Sequence, residues 1–414
     1  MPSTATAAAR EQRLVVETPA VVVGAGFNGL GVARSLARER VPVWLLDCDP
    51  ARVELRTNAA KPLVIAAVNG ETLVDELVRL GTTKFADRKP VLFLTQEESV
   101  RSVSRHRDRL ASLYRINLPP ANVVEALQHK HGFQLLAEQF DAPIPRLVRV
   151  RTADDVDALA RLQFPVVVKP GAHDAGYSRM FKKAYYMTGA KDCKDLVRRM
   201  LAVLPDIVVQ EWIEGPDTNI YFCLQYLNSD GKPVASFTGR KIRSWPPHVG
   251  GTASCMPATD VDTELATLTT KFFRDTGVVG MASMEYKRDE NTGAFRMVEP
   301  TIGRTDYQEE VATLNGVNLP YAAYCAELGL PAPARIFPER HIAWRVRSED
   351  VQSAAAQRQS PRSGFDNVRH VADALWRSSD PAPWLAQNFR WLREAARRRA
   401  GRILSAAPSP ESRP

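Results

Sequence analysis

The sequence predicts an α/β protein, a Rossmann-like parallel sheet at the N-terminus followed by a strand-rich α+β region. Three observations predict it. Short apolar runs alternate with helical patterns up to about residue 94. A Leu118-Pro119-Pro120 break then resets the pattern. Beyond it, strands dominate and two pairs of them are joined by hairpin-type turns.

The elements follow in order. Ala20–Val23 reads as a buried strand, with Gly24-Ala25-Gly26-Phe27-Asn28-Gly29 and a helical pattern through Arg38 after it. A second apolar strand, 43–46, ends at Asp47; a helix near 71–80 leads to the strand Val91–Leu94. Past the proline break, one helix over 123–140 ends before Asp141-Ala142-Pro143-Ile144-Pro145. Strands are expected at 146–150, 166–169, 184–187, Ile207–Glu211, Ile220–Leu227 and 234–243. The last two flank Asn228-Ser229-Asp230-Gly231, whose Asp-Gly is a strong turn signal. A further pair, 282–288 and 294–298, flanks the turn 289–293. Residues 348–363 are polar and read as a linker, and a helix over 384–399 precedes a Pro- and Ser-rich, disordered end at 406–414.

Bulk properties narrow the function classes. A chain of 414 residues exceeds the size of one core, so two or three units are expected. The hydrophobic share of 44% and charged share of 25% are ordinary for globular proteins. No apolar run approaches the roughly 20 residues of a membrane helix. The first 18 residues have no apolar segment of the secretory kind and read as a disordered leader. Five scattered cysteines without a C-x-x-C pair argue against a zinc or disulfide framework and suit a reducing, cytoplasmic setting. The +8 charge fits an anionic substrate, but part of it sits in the arginine-rich tail, and no nucleic-acid-binding module is present.

The most conspicuous motif is ambiguous. Gly24, Gly26 and Gly29 satisfy G-x-G-x-x-G between strand and helix, with Asp47 about 20 residues on, where a ribose would be held in an NAD(P)-dependent oxidoreductase. The same residues also make a tight turn that binds nothing. Other segments carry more chemistry. Phe164-Pro165-Val166-Val167-Val168-Lys169-Pro170-Gly171 is an apolar strand ending in a lysine, which needs an anion such as a nucleotide phosphate. Gln210-Glu211-Trp212-Ile213-Glu214-Gly215-Pro216-Asp217 runs from strand into turn, where backbone groups can meet a base and an acid a ribose. Glu285 and Glu299 fall on the two strands of a hairpin; facing carboxylates repel unless a cation lies between them, and magnesium prefers oxygen ligands.

The ordered set resembles the ATP-grasp superfamily, nearest its carboxylate–amine ligases of the D-aspartate ligase-like kind. The resemblance runs from about Val21 to Gly329 and rests on the glycine-rich first sheet, Lys130, PVVVKPG, QEWIEGPD, GRKIRSWPPHVGG, MEYKRD and RMVEPTIGR. It implies a pre-ATP-grasp domain over 19–117 and an ATP-grasp domain over 118–335, with a lid subdomain at 146–212 and a larger one at 213–335. A C-terminal extension over 336–414 would follow. Lys130 and Lys169 would contact ATP phosphates; Glu211, Trp212 and Ile213 would meet the adenine, and Asp217 the ribose. Glu285, Glu299 and Thr301 would ligate magnesium, with manganese as an alternative, and the loop 173–178 would close over the triphosphate. The implied reaction activates a carboxylate as an acyl phosphate and joins it to an amine, that of an amino acid, with ADP and phosphate released. Lys241, Arg243 and Arg304 are the candidates for gripping the carboxylate or the transferred phosphoryl group. Gly250-Gly251-Thr252 either presents amides to the acyl group or is merely a turn. One departure stands out: where the family often has asparagine, this chain has Thr301, which leaves a non-catalytic nucleotide-binding protein as an alternative. The implied partners are small carboxylates and amines, a cell-surface glycan or peptide precursor among them, and a homo-oligomer is compatible.

At the C-terminus, Leu385, Phe389, Leu392 and Ala396 fall at helical spacing, beside Arg390, Arg393, Arg397, Arg398 and Arg399. The preferred expectation is a terminal helix docked on the body by its apolar stripe, and peripheral membrane contact is the alternative.

Overall fold

The computed structural model describes residues 18–171, 181, 184–248, 250–334 and 338–405; the leader up to residue 17, the 173–178 loop and the 406–414 end lie outside them. Strands β1 (Ala20–Val23), β2 (Val43–Asp47), β3 (Lys61–Val64) and β4 (Val91–Leu94) form a parallel sheet in the order β3-β2-β1-β4. Every residue of the inner strand β1 is buried, because both faces are covered; hence its unbroken apolar run. The edge strand β3 was not expected: Lys61 and Pro62 are exposed, as edge positions allow, and the apolar residues 63–68 that begin within it run past its end into the following segment.

A second, antiparallel sheet holds β5 (Leu147–Val150), β6 (Val166–Pro170), β7 (Tyr185–Met187) and β8 (Ile207–Glu211) in the order β5-β8-β6-β7. Val166, Val168, Ile207 and Val209 from these strands pack with Leu196, Val197 and Met200 of the helix Ala190–Leu201 into a separate core. The third sheet contains β9 (Ile220–Leu227), β10 (Pro233–Trp245), β11 (Gly251–Pro257), β12 (Gly280–Arg288), β13 (Phe295–Ile302), β14 (Ile342–Arg345) and β15 (His370–Asp373). Its order is β13-β12-β9-β10-β11-β14-β15, and all eight residues of β9 are buried.

Three expectations change. The helix 123–140 is two helices, Ala121–Gln128 and Lys130–Gln139, with His129 extended between them (φ −99°, ψ 127°). The break falls at this single extended residue, and Lys130 opens the second helix. The 348–363 linker is a helix, Arg347–Ala356, whose Asp350 and Ser353 are fully buried. The segment from 336 is likewise no appendage: β14 pairs with β11 and β15 with β14, extending the large sheet.

The first sheet is bound to the third through the helices Phe27–Arg38, Glu310–Leu314 and Leu319–Glu327. Glu310 at this junction is ion-paired with Arg377 (2.6 Å) and Arg34 (4.0 Å). Its neighbour Glu309 is fully buried and meets only hydroxyls, Thr313 at 3.1 Å and Ser35 at 3.4 Å. Burial, reinforced by the Glu310 charge, pushes the Glu309 carboxyl up to about 8. The folded chain therefore keeps a proton that the unfolded chain releases near its ordinary value of 4.5. This group's contribution to stability is full below that value and is lost as pH rises to about 8. Glu309→Gln removes the titration, so thermal melts should show little gain over the parent near pH 5 and a growing one toward pH 8. A gain independent of pH would contradict the assignment.

Candidate active site

The glycine loop is accounted for within the fold. A Cβ on Gly29 would stand 1.9 Å from the Gly24 carbonyl oxygen, so the strand-to-helix turn requires glycine there. Asp47, 2% exposed, spends its carboxylate on the turn itself, accepting from Ala25 N (2.7 Å) and Asp49 N (3.0 Å). Asn28 projects from the loop and donates to the carbonyls of Thr95 (3.2 Å) and Thr305 (2.6 Å). The loop thus clamps the first sheet to the segment after β13, and the acid a dinucleotide ribose would need is buried.

A cleft of about 290 Å³ is lined from both the second and third sheets and from the helix Lys130–Gln139. The hairpin of β12 and β13 sets Glu285 directly opposite Glu299, and Ser283 opposite Thr301. Direct cross-strand neighbours project to one face, so Glu285, Glu299 and Thr301 all line the cleft. Lys241 reaches the pair from β10, its Nζ 2.8 Å from Glu285 Oε2. Across the cleft Lys169, at the end of β6, donates to Gln210 Oε1 at 2.8 Å. Burial, with the like charge of Lys130, pushes the Lys169 ammonium down to about 8, against the opposing pull of Glu299. An anion seated between the two lysines would relieve that repulsion. The two carboxylates and the Thr301 hydroxyl form an all-oxygen donor set suited to magnesium. No group of three or more His, Cys, Asp or Glu among the described residues can hold a metal alone.

Arg304, just past β13, lines the same cleft, with Nη1 donating to the Thr305 carbonyl (3.2 Å) and lying 4.0 Å from Asp306 Oδ1. Gly251 and Thr252 line it too. A Cβ on Gly251 would come 2.8 Å from the Tyr307 hydroxyl, and that hydroxyl donates to the Thr252 carbonyl. Gly251 and Thr252 thus form part of the cleft wall, while Gly250 does not line it.

Two expected residues are elsewhere. Arg243 is 1% exposed and faces away from the cleft, with Nη1 donating to Asp350 Oδ1 (2.7 Å) and Nη2 to the carbonyls of Ser360 (2.9 Å) and Ser363 (2.7 Å). Asp217 is 2% exposed, its oxygens taken by the backbone amides of Ser244 and His248, each at 3.0 Å. It caps a turn and is not available to a ribose. Glu211 pairs with Val166 and Trp212 N donates to the Pro165 carbonyl (2.9 Å), at the opposite end of β6 from Lys169, and neither these residues nor Ile213 line the cleft; the Glu211 side chain accepts from Gln163 N (2.9 Å).

Other polar residues also line the cleft, Gln210 from the strand-to-turn segment among them. Asp306 accepts from Ser283 Oγ at 2.6 Å beside Arg304. Gln210 positions Lys169, Arg149 pairs with Asp206 at the rim, and Gln308 follows Asp306 by two. Asp306 and Gln308 were legible only as close followers of Arg304.

No protein-family model matches the chain. Among curated proteins it is similar to D-aspartate ligase of Enterococcus faecium (strain Aus0004), 23% identical over 261 residues, 59% of this chain and 61% of that protein. The chain thus spans less than two thirds of that relative's length. Solved structures resemble it in fold. Biotin carboxylase from Campylobacter jejuni, in a β-γ-ATP complex, has a TM-score of 0.59 at 13% identity, covering 78% of this chain and 74% of that one. N5-carboxyaminoimidazole synthetase from Staphylococcus aureus, complexed with ADP, has a TM-score of 0.60 at 14% identity, covering 78% and 81%.

Proposed function

The chain has the ATP-grasp fold, and on that premise we propose that it is an ATP- and magnesium-dependent ligase joining a carboxylate to an amine. The observation that carries the reading is the register of Glu285 against Glu299, facing Lys169 and Lys130 across one cleft. The D-aspartate ligase similarity and the nucleotides in the related structures support it.

In this reading Lys130 and Lys169 hold the triphosphate, and Glu285, Glu299 and Thr301 hold magnesium. When bound, the ion neutralises phosphate charge as the terminal phosphoryl group moves. A carboxylate oxygen of the first substrate attacks the terminal phosphorus; the bond to ADP breaks and an acyl phosphate forms. The amine then attacks the acyl carbon, phosphate leaves with the bonding pair, and the amine proton passes to base or solvent. Arg304 and Lys241 face the reacting anions, and the Gly251-Thr252 wall bounds the acyl end. The amine is best read as that of an amino acid, because Arg304 and Asp306 together offer one partner for a carboxylate and one for an ammonium.

Phosphate release from ATP–magnesium tests this, followed over pooled carboxylates combined with pooled amino acids. Release that requires both pools is expected. Release indifferent to both, or none from any combination, would overturn it. Lys169 adds a pH signature. With its ammonium lost above about 8, ATP–magnesium affinity should weaken above that pH, by up to about tenfold per unit. Affinity that stays flat from pH 7 to 10 would remove Lys169 from phosphate contact.

A further inference from the structure

The terminal helix Ala382–Ser405 does not dock by its apolar stripe. Its first turns rest on the short 3-10 segment Val53–Arg56, and Trp384 meets Trp376 edge-on, ring centroids 5.1 Å apart. From there the apolar side chains face outward: Leu385 is 42% exposed, Phe389 64%, Trp391 58% and Leu392 54%. Leu385, Phe389 and Leu392 sit at i, i+4 and i+7, one stripe along the helix. Arg390, Arg393 and Arg397 sit at i, i+3 and i+7, a second stripe beside the first. The only acid in this stretch, Glu394, is already paired with Arg390 at 3.2 Å, and neither Arg393 nor Arg397 has an ion-pair partner among the described residues.

We propose that this helix lies on an anionic lipid surface and holds the enzyme against a membrane. An exposed Leu/Phe stripe edged by arginines is what a bilayer interface accommodates: acyl chains take the apolar side chains, phosphates take the guanidinium groups, and indole rings favour the boundary between them. A second copy of the chain fits less well. Stripe against stripe would bring two arginine rows together with one acid each, and that acid is spent within its own helix. The helix cannot span: among the described residues no helix is long and apolar enough to cross a membrane. Only surface attachment is at issue, and it fits substrates presented at a membrane as readily as free ones.

The test is co-sedimentation of the full chain with vesicles of phosphatidylcholine alone and of phosphatidylcholine mixed with phosphatidylglycerol. The chain should pellet with the mixed vesicles, little with the neutral ones, and less as salt is raised. Arg393→Glu combined with Arg397→Glu should lower partitioning by roughly tenfold or more, from about 1 kcal/mol per basic residue near the surface. Phe389→Ser combined with Leu392→Ser should also release it. Both pairs lie on the exposed helix, so phosphate release should be unchanged in all three proteins. Equal recovery with both vesicle types, or indifference to the arginine reversals, would overturn the proposal. So would a concentration-dependent dimer abolished by Phe389→Ser without vesicle binding, which would make a second copy the occupant. Failure here with phosphate release intact would leave the ligase reading standing, since the two readouts are separate.

Discussion

Glu299→Gln is expected to lower phosphate release by about two to three orders of magnitude while leaving the melting temperature unchanged or slightly raised. The two halves of this result have one cause. Glu299 is solvent-exposed on β13, opposite Glu285 in the ladder, and like charges directly opposed on a sheet are destabilising. Glu285 has Lys241 at 2.8 Å to offset its charge; among the described residues Glu299 has no ion-pair partner. In the proposed reading the magnesium ion supplies the charge that offsets this carboxylate. The amide keeps the shape, relieves the repulsion and removes the charge. Steady-state phosphate release beside a thermal melt checks both halves. A variant that melts lower and turns over normally would mean that Glu299 is a structural residue and that the metal site lies elsewhere.

The second large effect falls on stability. Arg243→Ala or Asp350→Ala should each cost about 3–5 kcal/mol, because each removes the nearest ion-pair partner of a fully buried charge. Asp350 is fully buried, accepts from Arg243 (2.7 Å) and Ser254 Oγ (2.7 Å), and lies 3.3 Å from Arg345. Arg243 also ties down the carbonyls of Ser360 and Ser363, so its loss should free the segment after the helix Arg347–Ala356. The apolar double variant Arg243→Met with Asp350→Leu should be less destabilised than either single variant, since both fully buried charges are gone and Arg345, the other partner of Asp350, is partly exposed to solvent. Denaturant melts of the three measure this. Equal stability with lost phosphate release in Arg243→Ala would return Arg243 to the substrate site.

These two residues show how much of the molecule the sequence reveals. Features set by local pattern were legible. The buried strands β1, β2 and β4 announce themselves as apolar runs, and the Asn228–Gly231 turn joins β9 to β10 as its residues require. Glu285 and Glu299 were readable as a facing pair because a short turn separates their strands. What sequence could not show was where long-range partners lie. Lys241 and Arg243 are two apart on one strand and should share a face. In β10 the register against β11 shifts between Lys241 and Arg243, and again between Arg243 and Ser244. These bulges turn Arg243 away from the cleft while Lys241 keeps facing it. Its partner Asp350 lies 107 residues on, in a stretch whose polarity suggested a linker. Asp217 and Asp47 fail for a related reason. Each acid stands at the spacing a ribose ligand suggests, and each accepts from backbone amides that only the folded chain brings near.

The central claim is that the cleft between Lys169 and the Glu285–Glu299 pair takes ATP with magnesium. Thermal melting of the full chain and of Glu299→Gln, each with ATP–magnesium and with NAD, tests it most directly. A ligand at about 100 times its dissociation constant stabilises by about 2.7 kcal/mol. ATP–magnesium should therefore raise the melting temperature of the parent by several degrees and of Glu299→Gln by much less, with NAD giving no shift. Stabilisation of both proteins by NAD, with none from ATP–magnesium, would contradict it.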